Sequence, residues 1–417
     1  MPYQLPRGTQ DILPGVSAEW RRLENAWFAH THRYGYREIR TPMFEDAEVF
    51  KRTSGETSDV VSKEMYEFRD RSDRELALKP EGTAPIMRAI IEHSLCPRDT
   101  ITRLSYFTEI FRYGRPGFGR FRQGHQLGIE LVGSASVLAD AEAIEIASRF
   151  FTQIGIPPFR LMLNSIGRAE CRARYREAIL THMATWLAEQ STEDRAKAEK
   201  NPLRLLDTKD PVTRAALEGL PPITDFLEDA SRERFEGLQE LLTAAEIAFE
   251  LRPDVVRGLD YYTETVFEVV CPALGEELSL CGGGRYDDLI ERLDGHPTPS
   301  VGMALGIERT LLALERAEVA PTRAVADVFV VGVGVPTETR ALVRRLRDAG
   351  VAVEWDIESR SMRSQMRQAD KSEAKYALIL GEDEVAQGKI QLKSMGSGES
   401  TLVDQAEIVT KLLDRLV

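Results

Sequence analysis

The chain has 417 residues, which corresponds to about two to three domains and is enough to bury a sizeable core. No apolar run approaches the ~18 residues of a membrane span, and the charged fraction of 29% is typical of a soluble globular protein. The net charge of -13 argues against nonspecific nucleic-acid binding as the main activity, although a locally basic face remains compatible with binding RNA.

The spacing of the cysteines and histidines predicts a reducing compartment and no metal site. The four cysteines (Cys96, Cys171, Cys271 and Cys281) are scattered without C-x-x-C spacing, and the six histidines lack the spacing of H-E-x-x-H. We therefore expect no disulfide framework and no protein-bound metal. The chain opens with no secretory signal, so we expect a cytoplasmic protein.

The first elements are a helix, a strand and a hairpin. Apolar residues recur at helical spacing from Ser17, and residues 36–42 predict a strand that ends at Pro42. Residues 63–68 and 76–83 predict a hairpin that runs into a helix. Glu81 and Thr83 lie where the strand ends and the helix begins. The Glu81 carboxylate there fits either a helix cap, which the residues alone favour, or a partner for an amino group.

Residues 111–130 (FRYGRPGFGRFRQGHQLGIE) include an arginine-rich loop. Guanidinium groups match phosphate oxygens bidentately, which indicates a nucleotide site; the alternative is a solvated basic hairpin. Gln126 and Glu130 lie four residues apart on one strand and therefore face the same way. Glu130 places a hydrogen-bond acceptor on that face. We interpret His125 as a structural residue near the site.

Residues 139–151 predict a helix, and residues 168–229 predict a polar, helix-rich segment. Residues 257–258 predict a turn that leads into a strand rich in aromatic and β-branched residues. Such a strand is either a wall for a small polar ligand and an anion or an ordinary core strand. Alternation predicts two faces, with Asp260, Tyr262 and Glu264 on one and Tyr261, Thr263 and Thr265 on the other.

Residues 282–284 (GGG) precede Arg285 and Tyr286 and lack the spacing and lysine of a P-loop, so they predict close backbone packing. After a linker near residues 320–322, strands and helices alternate through residue 381, which predicts an α/β unit with parallel strands. Its basic residues fit either an RNA-binding face or a solvated helix surface, and they are Arg344, Arg345, Arg347, Arg360, Arg363, Arg367 and Lys371.

Three blocks, residues 257–268 (RGLDYYTETVFE), 282–287 (GGGRYD) and 302–309 (GMALGIER), closely resemble blocks of the histidyl-tRNA synthetase family. The resemblance covers nearly the whole chain, and it implies that residues 111–130 contain two antiparallel strands joined by the arginine-rich loop. It implies an α+β fold in which a class II antiparallel-sheet catalytic domain (1–167 and 230–320) carries a helical insertion domain (168–229). A C-terminal α/β anticodon-binding domain (326–417) would follow.

The resemblance implies activation of L-histidine by ATP to histidyl-adenylate and transfer to the 3′ end of tRNA(His). Magnesium would enter with ATP as substrate, and residues 36–42 would form a homodimer interface. The implied catalytic residues are Arg257 and Arg112. The implied ATP-binding residues are Arg112, Arg120 and Arg309, and the implied histidine-binding residues are Glu81, Thr83, Gln126, Glu130, Tyr261, Tyr262 and Tyr286.

The chain departs from the family pattern in the arginine-rich loop and the strand after it. Gly114 replaces a glutamate that would meet the adenine amino group, and Gly124 replaces a phenylalanine that would stack on adenine. Gly117 and Phe118 replace a glutamine and a lysine that would meet the tRNA acceptor end. Weakened binding of ATP and tRNA is therefore expected, unless Phe118 or Phe121 supplies a ring.

These departures keep a second hypothesis open, a non-catalytic paralog that senses histidine or tRNA. Another form of it is a regulatory subunit of ATP phosphoribosyltransferase. Such subunits lack the anticodon-binding domain, which residues 326–417 of this chain supply.

Overall fold

The chain forms two compact units, Met1–Thr322 and Arg323–Val417. Within the described residues, no helix combines the length and apolar character needed to cross a bilayer. The computed structural model describes residues 3–55, 58, 60–156, 158–208, 210–256, 259–275, 278–319 and 326–416.

The strands of the described residues fall into three sheets. In chain order they are β1 (Arg37–Glu38), β2 (Phe44–Asp46), β3 (Tyr66–Arg69), β4 (Glu75–Leu78), β5 (Thr102–Phe111), β6 (Gln123–Val132), β7 (Arg160–Ser165), β8 (Glu250–Leu251), β9 (Thr263–Val270), β10 (Ser279–Arg285), β11 (Ser300–Gly306), β12 (Val328–Gly332), β13 (Val353–Trp355), β14 (Tyr376–Leu380), β15 (Lys389–Ser394) and β16 (Ser400–Asp404).

The helices of the same residues flank these sheets. In chain order they are α1 (Val16–His32), α2 (Ala47–Ser54), α3 (Thr83–Glu92), α4 (Val137–Ile154), α5 (Ala169–His182), α6 (Ala184–Glu189), α7 (Thr192–Lys200), α8 (Pro211–Ala216), α9 (Asp229–Ala244), α10 (Leu289–Arg292), α11 (Ile307–Arg316), α12 (Pro336–Asp348), α13 (Met362–Lys371), α14 (Glu382–Ala386) and α15 (Ile408–Leu416).

An eight-stranded sheet in the order β1-β5-β6-β11-β10-β9-β7-β8 is the centre of the first unit. Its inner pairs are antiparallel, and only the edge pairs β1–β5 and β7–β8 are parallel. Helices α1 and α4 cover one face, where Trp27 and Phe150 are fully buried and their rings meet edge to face 5.0 Å apart. The predicted antiparallel catalytic sheet is confirmed.

Glycines allow two neighbouring strands of this sheet to pack closely. A Cβ atom on Gly283 in β10 would lie 2.4 Å from the carbonyl oxygen of Gly302 in β11, which no real side chain tolerates. The prediction of close backbone packing at residues 282–284 is therefore confirmed. A Cβ atom on Gly302 would lie 2.1 Å from the hydroxyl oxygen of Tyr286, so this glycine leaves room for the tyrosine.

The N-terminal predictions are confirmed in part. Strands β3 and β4 form the predicted antiparallel hairpin, and α3 begins at Thr83. The predicted strand over residues 36–42 is too long, because only Arg37–Glu38 pairs, in parallel with β5. Proline at position 42 lacks the N–H that a longer ladder would need.

Residues 168–229 are helical, as expected, and contain α5 to α8 with 3-10 turns at Pro202–Asp207 and Ile223–Phe226. Buried apolar residues of α5, such as Tyr175 and Ile179, belong to the same hydrophobic cluster as the central sheet. The boundaries of an inserted domain remain a prediction.

The second unit is a five-stranded sheet in the order β13-β12-β14-β15-β16. Strands β13, β12 and β14 are parallel, as predicted, with helices in the connections. The sequence reasoning did not identify β15 and β16, which add an antiparallel edge. The predicted linker at residues 320–322 lies outside the described residues.

Candidate active site

Two adjoining cavities lie over the central sheet and are lined in part by residues of β5, β6, β10 and β11. We call them the inner and the outer cavity, with volumes of about 60 and 290 Å³. Arg112, Gln126, Gly282 and Ala304 line both, so the two form a continuous site. The remaining polar lining residues of the inner cavity are Glu81, Thr83, Tyr106, Tyr261, Tyr262 and Tyr286.

A buried carboxylate, Glu130, lies beside the inner cavity. Its side chain is fully inaccessible to solvent, and it accepts hydrogen bonds from the hydroxyl groups of Tyr286 and of Thr83, the latter at 2.9 Å. Burial raises the pKa of Glu130 to about 8 despite these hydrogen bonds. The carboxyl group of Glu130 is therefore an ionisable group whose hydrogen-bond partners, Thr83 and Tyr286, are uncharged.

Glu81 caps helix α3. Its two carboxylate oxygens accept hydrogen bonds from the backbone N–H groups of Thr83 (2.6 Å) and Ala84 (2.9 Å). Of the two interpretations open for Glu81, the cap is present in the structure. Burial raises the pKa of Glu81, and its position in the inner-cavity wall leaves a role toward an amino group as a prediction.

Three tyrosine rings form an aromatic wall of the inner cavity. The ring of Tyr261 lies 4.8 Å from that of Tyr262 and 5.4 Å from that of Tyr286. The predicted alternation of Tyr261 and Tyr262 onto opposite faces is wrong, because β9 begins only at Thr263 and both tyrosines precede it. A turn conformation lets consecutive rings face one cavity.

Glu264, expected on the same face as Tyr262, does not line either cavity. It has a positive φ of 51° and is buried, and its carboxylate binds Arg168 (2.9 Å) and Ser231 (2.9 Å). Its contacts are therefore at the starts of α5 and α9. Arg257 and Gly258, the predicted catalytic turn, lie outside the described residues.

Three predicted nucleotide-binding arginines line the outer cavity, namely Arg112, Arg120 and Arg309. Arg112 donates from Nε to the carbonyl oxygen of Pro80 at 2.7 Å, and Arg120 pairs with Glu64. Burial lowers the pKa of Arg112 and of Arg309. Such partly desolvated guanidinium groups interact strongly with phosphate oxygens.

The structure shows what surrounds the glycines that depart from the family pattern. A Cβ atom on Gly114 would lie 3.1 Å from both Arg120 and the Glu64 carboxylate, so little room is available there. A Cβ atom on Gly124 would make only an ordinary contact of 3.5 Å with Ile110. Phe121 lines the outer cavity, whereas Phe118 is 51% exposed and lies beside Arg316.

Two features of the site were not predicted. Tyr106 on β5 lines the inner cavity, and a pair formed by His125 and Glu308 lines the outer one. Alternation along β5 could have indicated Tyr106; no sequence signal joins residues 125 and 308. Within the described part of the chain, no group of three or more His, Cys, Asp or Glu side chains could hold a metal ion.

The chemistry of the site suits two ligands placed side by side. The inner cavity offers aromatic rings and hydroxyl groups to a small polar group, with the Glu130 carboxyl hydrogen-bonded to two of its lining residues, and the outer cavity offers guanidinium groups to phosphates. This arrangement on an antiparallel sheet, with a separate α/β unit, is that of a class II aminoacyl-tRNA synthetase.

Comparison with known proteins defines the family. The family model for histidyl-tRNA synthetase matches residues 8–310, and that for the anticodon binding domain matches residues 327–415. The chain belongs to the histidyl-tRNA synthetase family.

Individual relatives are similar to this chain over nearly its full length. The chain is 44% identical to a histidine–tRNA ligase of Synechococcus elongatus, over 97% of this chain and 94% of that protein. It is 41% identical to a histidine–tRNA ligase of Streptococcus uberis over 100% of both chains. The crystal structure of apo S. aureus histidyl-tRNA synthetase superposes with a TM-score of 0.82 at 34% identity, covering 98% of this chain and 99% of that one.

Proposed function

We propose that this chain is a histidine–tRNA ligase that uses the inner cavity for histidine and the outer cavity for ATP. The observation that carries the proposal is the buried Glu130 carboxylate, held by Thr83 and Tyr286 beside a cavity that opens onto Arg112 and Arg309. Family membership makes the chain an aminoacyl-tRNA synthetase, with histidine, ATP and tRNA as substrates.

Histidine recognition would use the polarity of the inner cavity. Glu130 accepts the imidazole N–H, and the rings of Tyr261, Tyr262 and Tyr286 pack against the imidazole. Glu81, Thr83 and Gln126 lie toward the α-amino group. A buried site built for these hydrogen bonds rejects amino acids that leave its polar groups unpaired.

Activation would proceed by in-line attack. An oxygen of the histidine carboxylate attacks the α-phosphorus of ATP, the bond from that phosphorus to the bridging oxygen breaks, and pyrophosphate leaves. Arg112, which lines both cavities, stabilises the charge that develops on the α-phosphate, and Arg120 and Arg309 hold the remaining phosphates or the base. We assign Arg257 to the transferring phosphate on the family resemblance alone.

Transfer would follow in the same site. A hydroxyl oxygen of the 3′-terminal ribose of tRNA(His) attacks the carbonyl carbon of histidyl-adenylate, and AMP leaves. No covalent enzyme intermediate is required, so catalysis consists of positioning and electrostatic stabilisation. Magnesium enters with ATP as part of the substrate.

We also propose that the protein acts as a cytoplasmic homodimer. Phe44 and Phe68 are exposed by 53% and 42%, and their rings meet 6.4 Å apart. They lie on the small sheet that follows the predicted interface strand. Sedimentation measurements on the purified protein would test the dimer.

The glycines at positions 114, 117 and 124 favour one alternative, a sensor that binds histidine without activating it. Histidine-dependent ATP–pyrophosphate exchange tests the ligase directly and needs no tRNA. Exchange with histidine and with no other amino acid is expected. Histidine binding without exchange would overturn the ligase and favour the sensor.

A further inference from the structure

A hydrogen-bonded pair connects the strand that carries Gln126 to the helix that carries Arg309. Glu308, in the first turn of α11, accepts hydrogen bonds from both donors of His125. The ring Nδ1 lies 2.7 Å from Oε1, and the backbone N–H reaches Oε2 at 3.2 Å. One residue of β6 thus engages both oxygens of the carboxylate, which fixes its orientation as well as its distance.

The pair is buried and its ring is held from two sides. The side chains of His125 and Glu308 are 8% and 9% exposed. Trp20 of α1 meets the imidazole edge to face with ring centroids 4.7 Å apart, and Phe107 of β5 lies 5.9 Å away. Because Glu308 accepts, Nδ1 carries the hydrogen, and the aromatic neighbours hold the ring in that orientation.

Arg309, the next residue along α11, depends on the same turn for its position. Its Nε donates to the carbonyl oxygen of Gly119 at 3.2 Å and its Nη1 donates to that of Ser279 at 2.7 Å. Helix α11 follows directly from Gly306, which pairs with Gln126 in the β11–β6 ladder and provides no side-chain cap, and the contact of Glu308 with His125 adds a side-chain link between the first turn and β6. A shift of that turn would move the guanidinium group within the outer cavity.

We propose that His125 is a positioning residue for Arg309, acting through Glu308, and thereby sets the affinity of the site for MgATP. The proposal rests on the proposed function, because it takes the outer cavity as the nucleotide site. His125 itself need not touch the nucleotide. Its contribution is the fixed geometry of a helix turn, because a small misplacement of a phosphate-binding group weakens binding steeply.

The test compares side chains that keep or lose the donor at the Nδ1 position. In His125→Asn the amide nitrogen lies close to where Nδ1 was, in His125→Gln it lies near the Nε2 position, and His125→Leu has no donor. The matched control is His30→Leu, because His30 is also buried and hydrogen-bonded, to Gln153 and the carbonyl oxygen of Ile146, but lies outside both cavities.

Calorimetric titration with MgATP gives Kd without requiring exchange activity. We expect Kd to rise about tenfold in His125→Leu and His125→Gln, to stay within about threefold of wild type in His125→Asn, and to be unchanged in His30→Leu. An unchanged Kd in His125→Leu overturns the proposal, as does a wild type that binds no MgATP. A wild type that binds MgATP but shows no histidine-dependent exchange overturns the proposed function and leaves this test valid.

A double-mutant cycle with Arg309→Ala separates positioning from general destabilisation. If His125 acts through Arg309, adding His125→Leu to Arg309→Ala weakens MgATP binding no further. Additive losses would mean that His125 acts on the site by another route and would overturn the proposal. Melting temperatures identify any variant that fails to fold. If His125→Leu does not fold, the difference in Kd between His125→Asn and His125→Gln tests the proposal instead.

Discussion

The hydroxyl group of Thr83 donates a hydrogen bond to the Glu130 carboxylate, with the two oxygens 2.9 Å apart. Thr83 begins helix α3 and lines the inner cavity, and Glu130 lies on β6 beside that cavity, so this bond joins the start of the helix to the strand. The second carboxylate oxygen is bound by Tyr286. A buried acceptor with both oxygens fixed is preorganised for one further donor.

Replacement of Glu130 by glutamine should separate stability from activity. We expect KM for histidine in the exchange reaction, measured above pH 8 where Glu130 is ionised, to rise about 10- to 100-fold, because a hydrogen bond to a charged group worth ~1.5–3 kcal/mol is lost. Burial raises the pKa of Glu130 in the folded chain from its ordinary 4.5 to about 8. Between pH 4.5 and about pH 8, Glu130 is protonated in the folded chain and ionised in the unfolded chain. The free energy of unfolding of the wild type therefore falls as the pH rises through this range.

Glutamine does not titrate, so the stability of Glu130→Gln has no such pH-dependent contribution at this position. Its melting temperature relative to wild type should therefore increase from pH 5 to pH 8 and stay level above pH 8. Thermal melts across this range measure the difference. Parallel curves for the two proteins would show that Glu130 is ionised throughout in the folded state, contrary to this account.

Phe121 should contribute to adenine binding, because it lines the outer cavity and base–aromatic stacking contributes ~1–3 kcal/mol. We expect Phe121→Ala to raise KM for ATP about tenfold without a change in KM for histidine. Phe118→Ala is the control, since that ring is exposed. Gly124→Phe, at a position where an added Cβ atom makes only ordinary contact, should recover part of the loss. Equal effects of the two alanine variants would refute a specific role for Phe121.

The buried ion pair of Arg285 and Asp140 should be important for the stability of the first unit. Neither side chain is exposed, and Arg285 Nη2 lies 2.5 Å from Asp140, which also binds Arg234 at 2.6 Å. Arg285→Met should lower the free energy of unfolding by about 3–5 kcal/mol, because it leaves a buried charge incompletely compensated. Urea unfolding followed by tryptophan fluorescence measures it.

Two further variants serve as controls for this prediction. Arg52→Met, which breaks an exposed pair with Asp294, should have a far smaller effect. Adding Asp140→Leu to Arg285→Met should recover part of the stability, because the buried carboxylate is removed with its partner. If Arg285→Met lowers the free energy of unfolding no more than Arg52→Met does, the buried ion pair does not stabilise the first unit as predicted.

Trp355 should contact tRNA but not affect activation. It lines a cavity of the second unit with Arg347, Ile357 and Lys371, a combination of aromatic and basic groups that suits an unpaired base and its phosphate. Trp355→Ala should raise KM for tRNA about tenfold in aminoacylation and leave pyrophosphate exchange unchanged. Leu402→Ala, an exposed position on β16, is the control. An unchanged KM for tRNA would favour the solvated-face interpretation of the basic residues.

Much of this organisation could be predicted from local patterns. The hairpin β3–β4 and the parallel strands β12, β13 and β14 follow from periodicity and turn residues. The antiparallel pair β5–β6 follows from the family resemblance, although β5 ends at Phe111, where the implied stretch begins. The partnership of Thr83 and Glu130, 47 residues apart, could be expected only through the family resemblance.

The failures have specific physical causes. Tyr261 and Tyr262 were assigned to opposite faces because alternation was extended into a turn, where it does not apply. Strand β16 is mostly exposed and carries little apolar periodicity, whereas the alternation of Ile390 and Leu392 could have indicated β15. The contact of His125 with Glu308 depends on tertiary packing across 183 residues, which no spacing rule describes.

A crystal structure of the protein with a non-hydrolysable histidyl-adenylate analogue would show directly which ligand occupies each cavity. We expect an imidazole nitrogen within hydrogen-bond distance of Glu130, the phosphate mimic beside Arg112, and the adenine in the outer cavity against Phe121. An analogue bound with its imidazole away from Glu130, or outside these two cavities, would contradict this expectation.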